Sequence, residues 1–120
     1  MRGYRKIGMD SLDRRWGKLV RERDGKCLYC GGTNYLSDHH IFGRSRSVTR
    51  YVLENGCSLC PSCHVFSDEF SAHKTPEKFK RWVKKYLGVG LYKDLQRRSL
   101  DTSNTRAKAI KEFINQNLTK

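Results

Sequence analysis

The chain has 120 residues, of which 37% are hydrophobic and 31% charged, proportions of one small folded, soluble domain rather than a disordered chain. Lys and Arg number 25 against 12 Asp and Glu, giving a net charge of +13, beyond the charge of about 2–8 that solubility alone asks of a small domain. That excess predicts a polyanionic partner, with nucleic acid the default, while the short apolar runs leave no bilayer span and no signal peptide.

From Ser11 to Arg23, Leu12, Trp16, Leu19 and Val20 recur at helical spacing, with Asp10 or Ser11 as N-cap and Gly25 past the end. The other face carries Arg14, Arg15, Lys18 and Arg21, read equally well as a solvated surface or as a stripe facing phosphates. Lys26 to Thr33 reads as a metal-binding knuckle, its tight turn supplied by Gly31 and Gly32. Tyr35 to Phe42 is expected as a short strand, residues 43–49 as a loop rich in Arg and Ser, and Tyr51–Leu53 and Cys57–Leu59 as extended segments. Pro61 suits the first turn of a helix carrying Cys63 and His64 and running to about Phe70. Thr75-Pro76 starts a further helix whose apolar face is Phe79, Trp82, Val83, Tyr86 and Leu87, stopped by Gly88. A short helix is expected around Leu91–Leu95, and Ala107, Ile110, Phe113, Ile114 and Leu118 predict a final amphipathic helix.

Five cysteines include two Cys-x-x-Cys pairs, Cys27/Cys30 and Cys60/Cys63, which suits ligation of one structural zinc ion better than disulfides and implies a reducing, cytoplasmic setting. Cys57 is left over as a small buried hydrophobe. Between the pairs lie Asp38, His39, His40 and Asn55, and His64 follows the last cysteine. Phosphodiester hydrolysis needs a proton acceptor for water and positive charge at the phosphate, which an imidazole and a divalent ion supply. Neighbouring strand residues point to opposite faces, so His39 and His40 share one task only if a bulge or twist intervenes. His73 reads as an exposed surface residue.

The motifs D-H-H-I, N-G-C-S-L-C and C-P-S-C-H, in that order across about Cys27 to Phe70, resemble the HNH endonuclease family. The resemblance implies an α+β fold: a ββα-metal core at about 27–70 with a structural four-cysteine zinc site, an N-terminal helix at about 11–23 and a helical extension at about 75–118, all one domain. It makes His40 the general base, His64 a ligand of a catalytic Mg2+ or Mn2+ ion, and Asn55 the residue that pins the loop carrying the base. Asp38 and His39 both remain open as the second ligand, and a one-residue shift of the alignment makes His39 the base and Asp38 the ligand. Arg44, Arg46 and Arg50 follow the base, where arginine grips phosphate oxygens. The activity implied is hydrolysis of DNA, with either nicking or double-strand cutting, and the flanks resemble small phage-type HNH proteins that work near DNA packaging. The alternative is a non-catalytic zinc-containing DNA-binding module; a thiol redox protein is disfavoured because neither Cys-x-x-Cys sits in a βαβ context.

Overall fold

A computed structural model describes residues 2–43, 48–101 and 106–117. The first element, α1 (Arg2–Asp24), runs well past the expected start: Asp10 and Ser11 lie inside the helix, because capping residues begin a helix only where the chain before them is not already helical. Its end is as expected. Gly25, at φ 68°, donates its amide to the Arg21 carbonyl at 2.8 Å, the left-handed C-terminal stop that glycine favours.

Two short strands follow, β1 (Ser37–His40) and β2 (Gly56–Leu59), paired antiparallel so that His39 faces Cys57 and His40 faces Gly56. The pairing is continuous, with no bulge. The stretch Tyr51–Leu53, expected to be extended, instead forms turns that lead into a 3-10 turn at Leu53–Asn55. All four residues of β2 are buried, as a strand covered on both faces must be.

One cover is α1: Trp16 and Val20 press on β2 so closely that a Cβ on Gly56 would lie 2.6 Å from each. Leu12, Trp16 and Val20 join Tyr51 and Phe113 in one core cluster. The other cover comes from α2 (Pro76–Leu87) and α3 (Val89–Ser99), whose Phe79, Val83 and Tyr92 pack with Cys57, Leu59 and Phe70 in a second cluster. The helix α2 begins and ends where its sequence signals place it, whereas α3 is longer than the stretch expected. A last helix, α4 (Arg106–Asn117), brings Phe113 onto Tyr51 at 5.7 Å.

The helix expected from Pro61 to Phe70 is cut short, surviving as a wide helical turn at Ser62–Phe66. Ser67 ends it. Its Oγ accepts the amides of Glu69 (3.1 Å) and Phe70 (3.2 Å), local bonds that compete with helix propagation. The chain then doubles back, and Ala72 and His73 donate their amides to the carbonyls of Cys63 and His64 at 2.9 and 3.0 Å.

Candidate active site and zinc knuckle

The two Cys-x-x-Cys turns meet where β1 and β2 begin and end. The knuckle at Cys27 closes through its amide to the Gly32 carbonyl (2.7 Å) and through Gly31, at φ 83°, to the Cys27 carbonyl (2.9 Å). The Cys30 amide points at the Cys27 sulfur (3.5 Å) and the Cys63 amide at the Cys60 sulfur (3.4 Å). Against burial, which pushes the other way, amide bonds of this kind bring the Cys27 thiol down to about 7. The four sulfurs lie within 4.8 Å of one another, and Cys30 and Cys60 Sγ are 3.6 Å apart. Tetrahedral zinc, with Zn–S near 2.3 Å, sets sulfurs about 3.8 Å apart, so the donor set fits a structural zinc ion. Cys57 stands outside it: burial pushes this thiol up to about 12 and keeps it protonated.

The regular pairing of β1 sends its two histidines to opposite faces. His39 enters the α2 side, where its ring lies 5.1 Å from His64 and 5.7 Å from His73, centroid to centroid. The three imidazoles bring one nitrogen each to within 4.8 Å of the others, and the Nε2 atoms of His64 and His73 are 3.2 Å apart. Burial, and then the neighbouring imidazoles, hold His39 down to about 3; burial and His73 also lower His64, against an upward pull from Asp38. His39 and His64 are thus held as neutral nitrogen donors, the form that binds a divalent ion. His73 is exposed, as expected, yet belongs to this cluster: the reversal at Ser67 sets its backbone against His64.

His40 turns to the α1 side. Its ring stacks on Trp16 with centroids 3.9 Å apart and planes 9° from parallel, and Nε2 lies 2.9 Å from the Arg50 carbonyl. A carbonyl only accepts, so Nε2 carries the proton in this bond and Nδ1 is the basic nitrogen. Trp16 is itself fixed by its Nε1 donating to the Val52 carbonyl at 3.1 Å. Asp38 shares this face and pairs with Arg21, outside the imidazole cluster although its charge reaches His64.

Asn55 is fully buried and spans the loop after β1. Its Oδ1 accepts the Phe42 amide (2.8 Å), and its Nδ2 donates to the carbonyls of Phe42 (3.0 Å) and Thr49 (3.1 Å). Arg50, expected at phosphate, is largely buried with its guanidinium on Asp13 (2.7 and 3.2 Å), which ties the loop to α1. Arg44 and Arg46 lie outside the described residues.

A hairpin and helical turn braced by a four-thiolate knuckle, with imidazoles on both sides of one strand, defines a small zinc-knuckle ββα domain. Residues 27–66, one third of the chain, match the HNH endonuclease family. No curated protein and no solved structure matches the chain. An HNH domain implies a nuclease-type function on DNA, and the thiolate cluster implies structural zinc. Among the described residues, no helix is long and apolar enough to cross a membrane.

Proposed function

We propose that the protein is a metal-dependent DNA endonuclease in which His40 is the general base and His39, His64 and His73 hold the catalytic ion. The observation that carries this reading is His40 itself, clamped between the Trp16 indole and the Arg50 carbonyl, on the same strand as a three-imidazole cluster. Asp38, committed to Arg21 on the opposite face from His39, is the poorer ligand candidate.

A divalent ion would be held by His39, His64 and His73 and would supply positive charge to a phosphate. Since β1 pairs without a bulge and sets this cluster on the face opposite His40, a twist at the strand end is what would let both act on one phosphate. The donor set is all nitrogen, which suits nickel or zinc better than magnesium or manganese. Nδ1 of His40 accepts the proton of the attacking water, while Nε2–H keeps the ring aimed through the Arg50 carbonyl. The imidazolium so formed sits on the negative face of the Trp16 ring, a favourable place for a cation. Asn55 fixes the loop at Phe42 and Thr49, next to the carbonyl that orients the base.

One such site serves one strand, so nicking is the elementary event and a double-strand cut takes two events or two copies. Work in phage DNA processing or packaging, with packaging proteins as partners, rests on the resemblance of the flanks. The test is nicking of supercoiled plasmid by wild type and His40→Ala with magnesium, manganese, nickel, zinc or no added ion. Ion-dependent nicking lost in the variant, with zinc content and DNA affinity kept, supports the assignment. Equal nicking in the variant removes His40 as base, and DNA binding without cleavage in any ion favours the non-catalytic module.

A further inference from the structure

The cationic face of α1 has a structural counterpart. A cleft of about 460 Å³ on this side of the hairpin is lined by Asp13, Arg14, Lys18, Arg21, Asp38 and His40. Arg14, Lys18 and Arg21 stand four and three residues apart, the spacing of one helix face. The helix can lie this close because residue 17 is glycine: a Cβ there would meet the Asp38 carboxylate at 2.6 Å.

Charge in the cleft is unevenly matched. Asp13 is held by Arg50 and Asp38 by Arg21, so both carboxylates already have a cation. Arg14 and Lys18 are exposed and make no ion pair among the described residues. Two surplus positive charges, about 6 Å apart along the helix axis, thus overlook the cleft into which His40 faces.

We propose that this cleft is a phosphate-backbone track for duplex DNA, in which Arg14 and Lys18 contact phosphates beside the one presented to His40. The meaning of His40 rests on the nuclease reading; the track itself is measured by binding. Its occupant is argued from charge: the net charge of +13 calls for a polyanion, and two unmatched cations lie beside the proposed base. Arginine and lysine on phosphates carry no base information, so the track sets where along α1 a strand lies and leaves sequence choice open.

The experiment is fluorescence anisotropy of a labelled duplex against a potassium chloride series, without added divalent ion, for the full chain and for Arg14→Gln/Lys18→Gln. A charge-matched control, Lys85→Gln/Lys93→Gln, removes two exposed lysines from α2 and α3. Each phosphate contact contributes about 0.9 to the slope of log affinity against log salt, so the α1 pair should lower the slope by about 1.8 and weaken binding roughly tenfold. Each single variant should lose about half of that slope, again near 0.9. Unchanged melting temperature and zinc content certify that the fold is intact. An unchanged slope, or an equal loss in the control pair, overturns the track. An α1-dependent slope in a protein that nicks nothing keeps the track and removes the nuclease reading; nicking with a slope indifferent to α1 does the reverse.

Discussion

The imidazole of His40 lies flat on the indole of Trp16, 3.9 Å between centroids, and the same indole donates its Nε1 proton to Val52 two residues beyond the carbonyl that receives His40 Nε2. One buried tryptophan therefore supports the proposed base from below and holds the chain that aims it. Trp16→Phe should keep an aromatic face but lose the bond to Val52. Unfolding in denaturant should show a loss of about 1–3 kcal/mol, from one hydrogen bond and partial loss of packing. Nicking should fall through kcat with KM little changed; a variant with full kcat would show that Trp16 is packing alone.

The imidazole cluster predicts which changes abolish ion binding. Removal of a ligand in His73→Ala should weaken manganese or nickel binding at this site at least tenfold, as His64→Ala should, whereas Asp38→Asn should change it far less. Isothermal titration of zinc-loaded protein separates these cases. An Asp38→Asn loss as large as that of His73→Ala would return the carboxylate to the ligand set.

Without added divalent ion, stability should fall on acidification. His39 stays neutral in the folded protein down to about 3, whereas its ordinary value is 6.5. Between those limits the unfolded chain binds the extra proton, so stability rises with pH across the window and is lost as pH falls from about 6.5 toward 3. The slope from His39 reaches at most about 1.4 kcal/mol per pH unit, and the lowered His64 adds in the same direction. Denaturation at several pH values should give a shallower dependence for His39→Gln; an unaltered dependence would contradict the burial-driven shift.

Thiol labelling tests the knuckle. Cys30 is exposed, so a free thiolate there would react quickly with iodoacetamide. With zinc bound it should not, and a chelator should release four reactive thiols together while Cys57, buried and held up at about 12, reacts only on unfolding. Rapid labelling of Cys30 before chelation would exclude the zinc site.

Features with local causes are legible in the sequence. The α2 helix follows from Pro76 at its start, Phe79 and Val83 on one face, and Gly88 at φ 91° where it stops. The four-cysteine cluster follows from repeated spacing, while Asn55, read in the sequence as the loop's anchor, bonds Phe42 and Thr49 across the loop after β1. Features with nonlocal causes are hidden. His73 enters the cluster because the Ser67 hydroxyl reverses the chain, and nothing in the sequence around Ser67 marks it apart from the other serines nearby. Arg50 reads as a phosphate contact until Asp13, 37 residues away, is seen to hold it. The early part of α1 is obscured by two good capping residues that the helix passes through.

Because His39 and His40 are consecutive, the alignment of β1 on β2 works as a sorting device. A slip of one residue would carry every side chain of β1 to the other face, delivering His40 to the imidazole cluster and His39 to the indole. The loop end of the hairpin guards against this exchange: the Ile41 amide is latched to the Asn55 carbonyl at 2.8 Å, and only a glycine fits opposite His40 under Trp16. Two identical side chains are thus told apart by nothing in their own chemistry, only by the parity of their place on a four-residue strand.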